Sequence, residues 1–209
     1  MSVLPSRLYV ICDAEVCEQA GWPLVDFATA CLDGGATLIQ VRAKQVAGGR
    51  LFDATTTIVE RANAAGALVV VNDRVDIARL TGAAGVHVGQ TDLRPRAIRQ
   101  VGGSDLVVGL STHTPEQYLA AKDEPVDYIA IGPVFATATK STGHDPVGLD
   151  GVARARDVSG MPVVAIGGMT LDRARSVIEA GAASVAVISD LFATGDPASR
   201  VKAFLRELE

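Results

Sequence analysis

Two aspartates each follow a short apolar run that is typical of a buried strand. Asp73 comes after Val69–Val71 and Asn72, and Asp92 follows the run Gly85–Val88. If these strands are neighbours, roughly 4.8 Å apart, both carboxylates lie at one edge of a sheet. Oxygen ligands of this kind suit Mg²⁺ when phosphates and waters complete its shell. The alternative is that each aspartate only caps the helix that follows it.

Basic residues follow another strand-like run, in the segment Gln40-Val41-Arg42-Ala43-Lys44. Strand alternation directs Gln40, Arg42 and Lys44 to one side and Val41 to the other. A guanidinium and an ammonium group suit a phosphate, whereas a salt bridge to an acid of the same chain is the alternative. Beside acids that hold a metal, these cations predict a diphosphate bridged by Mg²⁺.

Hydroxyl groups and a histidine follow the fifth strand-like run. Ser111 and Thr114 offer an anion site at a helix start, and helix capping is the alternative for both. For His113, a surface imidazole is the favoured interpretation.

The segments after the last three strand-like runs favour phosphate binding. A long loop from Gly132 to about Pro146 predicts a lid in which Lys140 neutralises a leaving group. Glycines in Gly167-Gly168-Met169 let a backbone approach closely, and together with Ile188-Ser189 they predict a site for a phosphate monoester.

Strand-like and helix-like segments alternate along the whole chain, which requires a parallel sheet with helical crossovers. Eight such units in 209 residues favour a (β/α)₈ TIM barrel, one α/β domain over residues 1–209. An open doubly wound sheet is the alternative, but the first βα turn lacks its Gly-x-Gly-x-x-Gly motif. The predicted strands are Leu8–Cys12, Thr37–Val41, Leu68–Val71, Gly85–Val88, Leu106–Leu110, Tyr128–Ile131, Val163–Ile166 and Ser184–Ile188. The clearest helices are Leu24–Asp33, Gly49–Ala64, Pro115–Ala121, Leu171–Ala180 and Pro197–Leu208.

Composition argues for small-molecule partners. The net charge is −5 and Lys and Arg form no basic stripe, which argues against nucleic acid and anionic membranes. No apolar run approaches the roughly 20 residues of a membrane helix. Cys12, Cys17 and Cys31 lie in apolar surroundings, so we expect reduced core thiols and a cytoplasmic protein. Whether the chain forms a homo-oligomer is left open.

An ordered set of motifs resembles the thiamine phosphate synthase family over nearly the whole chain. The set comprises Gln40-x-Arg42-x-Lys44, Asn72-Asp73, Gly85-Val86-His87-x-Gly89-Gln90-x-Asp92, Ser111-x-His113-Thr114, Gly132-Pro133, Thr137-x-Thr139-Lys140, Ile166-Gly167-Gly168 and Ile188-Ser189. The resemblance implies a barrel that joins 4-amino-2-methyl-5-hydroxymethylpyrimidine diphosphate to 4-methyl-5-(2-phosphoethyl)thiazole, or to its carboxylated precursor, and releases diphosphate.

The same resemblance implies a role for each matching residue. Asp73 and Asp92 would hold Mg²⁺. The pyrimidine diphosphate would contact Gln40, Val41, Arg42, Ala43, Lys44, Asn72, Ser111 and Lys140, of which Arg42, Lys44, Ser111 and Lys140 form the catalytic set. The thiazole phosphate would contact Thr137, Ala138, Thr139, Gly168, Ile188 and Ser189.

Two alternative functions remain. A thiazole tautomerase relative shares the barrel but uses a catalytic histidine after the sixth strand, where this chain has Pro133. A non-catalytic sensor of phosphorylated vitamin precursors would not need the set of Asp73, Asp92 and Lys140.

Overall fold

Eight parallel strands close in chain order into a barrel in the computed structural model, which describes residues 4–137 and 143–209. The strands are β1 Leu8–Asp13, β2 Leu38–Arg42, β3 Leu68–Asn72, β4 Gly85–Val88, β5 Val107–Thr112, β6 Tyr128–Ile131, β7 Val163–Ile166 and β8 Ser184–Val187. Pairing of β8 with β1 closes the barrel. The predicted (β/α)₈ barrel is therefore confirmed, and the open-sheet alternative is wrong.

Helices connect successive strands on the outside of the barrel. They are α1 Ala14–Gln19, α2 Leu24–Asp33, α3 Gly48–Ala64, α4 Val75–Thr81, α5 Pro95–Gly102, α6 Pro115–Ala120, α7 Gly148–Ser159, α8 Leu171–Glu179 and α9 Pro197–Leu208. Two 3-10 helices span Ala121–Asp123 and Ser189–Phe192. The five predicted helices are present. The predicted strand ends are least accurate at β5, which continues past Leu110 because Thr112 still pairs with Ile131 of β6.

The core has two layers, as strand alternation in a barrel requires. Inside the barrel, Tyr9, Ile11, Leu38, Val70 and Tyr128 form one buried cluster with smaller side chains from β6 to β8. A larger cluster fills the space between the strands and the helices. The inner layer fills the barrel below the carboxyl ends of the strands and leaves polar groups to line its open end.

The three cysteines are free and buried in the outer layer, which confirms the prediction of unbridged core thiols. Among the residues that the structure describes, no helix has the length and apolar character needed to cross a membrane. The assignment of residues 1–209 to a single domain stays a prediction.

Removal of the Phe27 ring tests the outer layer. Phe27 is fully buried on α2 and stacks on Phe192, with ring centroids 4.4 Å apart. Phe27→Ala should lower the free energy of unfolding by about 3–5 kcal/mol, because it removes apolar contacts and leaves a cavity. Urea unfolding measures the change. Leu119→Ala is the control, since Leu119 is 54% exposed and its truncation should cost less than about 0.5 kcal/mol. Equal losses in both variants would contradict the packing described.

Candidate active site

The carboxyl ends of the strands surround a cavity of about 840 Å³. A smaller cavity of about 100 Å³ adjoins it and shares Ser111, Thr137 and Gly168 in its lining. The predicted site residues that line the main cavity are Gln40, Arg42, Asn72, Ser111, Thr137, Gly168, Ile188 and Ser189. The structure thus brings together residues from β2, β3, β5 and the loops after β6, β7 and β8.

Arg42 lies in the cavity wall and is already paired. Its guanidinium donates to Asp13 Oδ2, and the side chains of Arg42 and Asp13 are 17% and 5% exposed. The other carboxylate oxygen, Asp13 Oδ1, accepts from the backbone N–H groups of Glu15 and Val16 and so caps α1. The internal salt bridge considered from the sequence is therefore present. Because Asp13 is anchored to a helix start, it fixes the direction in which Arg42 points.

Lys44 makes the second internal ion pair. Its Nζ lies 3.0 Å from Asp73 Oδ2 at the rim of the barrel. Burial raises the pKa of Asp73; contact with Lys44 opposes this shift, and the neighbouring carboxylate of Asp92 adds to it. The carboxylates of Asp73 and Asp92 are thus close enough to repel each other, which a cation bound between them would relieve.

The capping interpretation is wrong for both aspartates. Arg74 occupies the N-cap of α4 and Arg94 that of α5, and neither helix start is capped by a side chain. Asp92 Oδ2 instead accepts from the backbone N–H of Gly89 at 2.8 Å. Both carboxylates are therefore oriented by loops at the sheet edge and are not engaged at helix starts.

The backbone at Asp73 supports a functional role. Its φ of 63° is the only positive value at a non-glycine residue in the described part of the chain. This left-handed conformation is uncommon for residues with a Cβ and tends to occur at functional sites. It follows β3 directly and turns the carboxylate towards the rim.

The donor set fits a magnesium ion that is mainly coordinated by substrate. In residues 4–137 and 143–209, no group of three or more histidine, cysteine or acidic side chains could hold a metal. Two adjacent carboxylates, however, supply the hard oxygen ligands that Mg²⁺ prefers, and that ion commonly takes one or two carboxylates beside phosphates and water. Asp73 and Asp92 therefore suit a metal that arrives with a phosphorylated ligand.

Val41 and Ala43 contribute differently from their neighbours. Both side chains are buried in the outer layer between strands and helices. This agrees with the prediction that Val41 faces away from the cavity. Any contact of these two residues with a ligand would use their backbone groups.

The loops after β6 and β7 pack tightly, which explains their glycines. A Cβ atom on Gly168, whose φ is +63°, would lie 2.6 Å from the carbonyl oxygen of Ala136. A 3-10 helix begins after β8 at Ser189. The Gly168 backbone, Ile188 and Ser189 therefore line one end of the cavity, far along the barrel circumference from Asp73.

The residues after β5 do not all behave as expected. Thr114 caps α6 through Gln117 N–H, which confirms the capping alternative for that residue. Ser111 is part of β5 and caps no helix; its Oγ lies 2.8 Å from His87 Nε2. The surface interpretation of His113 is wrong, because its imidazole is half-buried, contacts the Gly132 carbonyl at 2.6 Å and lines the smaller cavity.

Sequence reasoning missed three residues that line the cavity, Asp13, Tyr9 and His87, and a fourth, Tyr128, that lies in the barrel interior. The sequence pattern could have identified Asp13, because this acid follows an apolar run, as Asp73 does. Tyr9 and Tyr128 gave no such signal, because a tyrosine inside a strand is indistinguishable from a core residue by periodicity. His87 appeared only within a motif and received no role. The predictions for Ala138, Thr139 and Lys140 concern the part of the predicted lid at residues 138–142, which lies outside the described residues.

Comparison with known proteins identifies the family. Residues 8–191 match the family of thiamine monophosphate synthases. The thiamine-phosphate synthase of Koribacter versatilis is 44% identical over 204 residues, which cover 97% of this chain and 95% of that protein. The chain belongs to the thiamine monophosphate synthase family.

Two further relatives agree with this assignment. The thiamine-phosphate synthase of Chlorobium phaeovibrioides is 40% identical, over 99% of this chain and 97% of that protein. The solved structure of thiamine phosphate pyrophosphorylase from Pyrococcus furiosus is 31% identical and superposes with a TM-score of 0.87, over 97% of this chain and 95% of the other. The chain thus spans nearly the full length of these family members.

Removal of the Asp13 carboxylate tests its double role. Asp13→Ala should lower the free energy of unfolding by on the order of 3 kcal/mol, because it leaves the Arg42 charge without its partner and α1 without its cap. Urea unfolding monitored by circular dichroism gives the value. The matched control is Asp76→Ala, since Asp76 pairs with Arg74 and both side chains are more than 40% exposed. That change should cost less than about 1 kcal/mol. Losses of similar size in both variants would contradict the role given to Asp13.

Proposed function

We propose that this chain is a transferase that joins 4-amino-2-methyl-5-hydroxymethylpyrimidine diphosphate to 4-methyl-5-(2-phosphoethyl)thiazole, or its carboxylated form, to give thiamine phosphate and diphosphate. Membership of the thiamine monophosphate synthase family supports this activity. The observation that carries the proposal is a single cavity with two separate polar zones. One zone has Gln40, Asn72 and the Arg42–Asp13 pair in the cavity wall, and Lys44, Asp73 and Asp92 lie at the rim outside this lining. The other zone contains Gly168 and the hydroxyl groups of Thr137 and Ser189.

The first zone would bind the pyrimidine diphosphate. Gln40 and Asn72 line the cavity beside Arg42, so they would contact the pyrimidine while Arg42 and Lys44 face its diphosphate. Ser111 would donate a hydrogen bond to the same ligand, Lys140 would add a further cation, and Val41 and Ala43 would take part through their backbones. This assignment explains why Arg42, the last residue of β2, and Lys44, two residues beyond it, are both basic.

The second zone would bind the thiazole phosphate. Thr137, Gly168, Ile188 and Ser189 line the cavity at this end, and Ala138 and Thr139 continue the same loop in the sequence. Backbone N–H groups beside glycine and at a helix start are suited to a phosphate monoester. A monoester here and a diphosphate at the other end would bring the two reacting ends of the substrates together inside the cavity.

Charge balance supports a role for Mg²⁺ at the first zone. Asp13, Asp73 and Asp92 supply three carboxylates against the two cations Arg42 and Lys44, so this cluster alone would repel a diphosphate. We assign Asp73 and Asp92 as the residues that would hold the ion. When bound, Mg²⁺ would supply neutralisation of the leaving diphosphate.

In the proposed reaction, the C–O bond to the diphosphate would break before the bond to the thiazole nitrogen forms. An electron-rich aminopyrimidine stabilises a cation at its exocyclic methylene carbon, to which the thiazole nitrogen then adds. Arg42, Lys44 and Lys140 would stabilise the departing diphosphate electrostatically. No general base is required, because the attacking nitrogen carries no proton. Apolar groups of Ile11 and Val164 in the cavity wall would limit access of water to the cation.

The same interpretation extends to partners and location. The partners would be these two small molecules, without nucleic acid or membrane, and homo-oligomer formation remains open. The free buried cysteines support a reducing compartment, which we take to be the cytoplasm.

A two-substrate assay tests the function directly. Purified protein with both substrates and Mg²⁺ should release diphosphate and form thiamine phosphate in equal amounts, and omission of either substrate should abolish both products. Mass spectrometry of the product and a coupled diphosphate assay measure the reaction. Binding of both substrates without turnover would favour the sensor alternative, and conversion of a thiazole substrate alone would favour the tautomerase.

Magnesium should bind weakly unless the diphosphate is present. Two carboxylates leave most of the octahedral shell to other ligands, and Lys44 already contacts Asp73. Calorimetry should therefore detect tight binding only with pyrimidine diphosphate, and Asp92→Ala should weaken it. Asp105→Ala, at a side chain that is 76% exposed, should not. Tight binding to the ligand-free protein that survives Asp92→Ala would contradict this site.

Lys140 should act mainly in the transition state, when the C–O bond breaks. Lys140→Ala should lower kcat by about 10²–10³-fold and change KM for the pyrimidine substrate little, as expected for a lost electrostatic partner of the leaving group. Single-turnover kinetics measure the chemical step. Lys122→Ala, at an exposed lysine after α6, serves as the charge-matched control. A raised KM with an unchanged chemical step would reduce Lys140 to an ordinary binding contact.

A further inference from the structure

A row of hydrogen-bonded side chains crosses the inside of the barrel beneath the cavity. The Gln40 amide donates to Tyr9 Oη at 3.0 Å, and Tyr9 Oη lies 3.1 Å from Tyr128 Oη. Tyr128 Oη lies 3.0 Å from His87 Nδ1, and His87 Nε2 lies 2.8 Å from Ser111 Oγ. We call these five residues the relay. The relay links β2 to β5 through β1, β6 and β4. Its two middle contacts join strands that do not pair in the sheet, since Tyr9 of β1 meets Tyr128 of β6 and Tyr128 meets His87 of β4.

The backbone is arranged to permit this contact. His87, Gly109 and Tyr128 lie side by side in the pairing of β4, β5 and β6. A Cβ on Gly109 would lie 2.1 Å from Tyr128 Cζ and 2.5 Å from His87 Nδ1. Glycine at this level of β5 therefore leaves the space in which the tyrosine and the imidazole meet.

The middle of the relay is closed to water. Tyr9 and Tyr128 are 1% and 0% exposed. Burial raises the pKa of both phenols well above the ordinary value, so both keep their hydrogens. A buried hydroxyl that donates to no acceptor is energetically costly, so each hydrogen must be directed to a relay neighbour.

These conditions select one direction for the hydrogen bonds. Because Tyr9 Oη accepts from Gln40, its hydrogen goes to Tyr128, its other partner in the described part of the chain. Tyr128 then donates to His87 Nδ1. A neutral imidazole that accepts at Nδ1 carries its hydrogen on Nε2 and donates it to Ser111 Oγ. The hydrogen of Ser111 is thereby directed away from His87 and towards the cavity that Ser111 lines.

We propose that Tyr9, Tyr128 and His87 are positioning residues, which fix the His87 Nε2–H tautomer and so hold Ser111 as a hydrogen-bond donor to the phosphorylated substrate. The proposal rests on the proposed function for the identity of that substrate. One network thereby orients both Gln40 and Ser111. The orientation of the Gln40 amide at the pyrimidine end sets the direction of the Ser111 hydroxyl at the diphosphate end. A reversed Gln40 amide would reverse every bond and turn Ser111 into a donor to His87.

The tautomer of His87 can be measured without changing the relay. The chain has three histidines. A variant with His113→Gln and His144→Gln, labelled with ¹⁵N-histidine, therefore reports only His87. Long-range ¹H–¹⁵N spectra should show the hydrogen on Nε2, and Tyr128→Phe in this background should shift both ring nitrogens towards values of exchanging tautomers. A hydrogen on Nδ1 in the unmodified relay would overturn the proposal.

Turnover tests whether the relay acts through Ser111. Tyr128→Phe should lower kcat by about 10-fold and leave KM for the thiazole phosphate unchanged, while Ser111→Ala should lower kcat by about 10²-fold. In the Ser111→Ala background, Tyr128→Phe should change kcat by less than about 2-fold, because the group on which the relay acts is gone. Equal factors in the two backgrounds would overturn the proposal.

Controls separate positioning from general loss of structure. Tyr118→Phe removes a hydroxyl from a tyrosine that is also buried, on α6 and outside the relay, and should leave kcat unchanged. Tyr9→Phe provides a second relay variant if Tyr128→Phe unfolds. It should likewise lower kcat in the parent protein and have little effect on kcat in the Ser111→Ala background. Absence of turnover in the parent protein would refute the proposed function alone, since the tautomer measurement does not depend on it.

Discussion

Closure of the barrel is the constraint on which the site depends. Because β8 pairs with β1, residues from both ends of the chain share one rim, and the carboxyl end of every strand faces the same cavity. An open sheet would keep Asp13 and Ser189 on distant strands. Closure also fixes the interior: side chains that point inward from opposite strands must fit against each other, and Tyr9 and Tyr128 meet there in an edge-to-face contact.

The charged groups at the rim stabilise one another before any ligand binds. Asp13 holds Arg42 and a helix start, and Lys44 holds Asp73. The first pair keeps Arg42 in the cavity wall without leaving the buried Asp13 carboxylate unpaired, which would be costly, and the second keeps Lys44 at the rim. An incoming diphosphate would therefore compete with carboxylates for the cations, and a metal ion shared with Asp73 and Asp92 would reduce that competition. The same residues thus explain both how these charged groups are stabilised and why the site is expected to need a cation.

Beneath this rim, the uncharged side chains of the relay are joined by hydrogen bonds. The relay between Gln40 and Ser111 carries no formal charge in the arrangement proposed, so it can be buried at little cost if every donor has an acceptor. Its geometry depends on Gly109, a residue without any polar group, because only glycine leaves room for the two rings. Steric space on one strand therefore determines a hydrogen bond between two others.

The sequence by itself determined the strand order, the barrel and part of the cavity lining, because apolar runs, helical periodicity and polar residues at strand ends are local properties. Gln40, Arg42, Asn72 and Ser111 were found in this way and do line the cavity. Only the tertiary structure decided their partners. Arg42 meets Asp13, Ser111 meets His87 and caps no helix, and His113 is half-buried. All three depend on contacts between strands that pair across the sheet or face each other inside it. Periodicity specifies which face of a strand a residue occupies, whereas register and closure specify which residue it meets there.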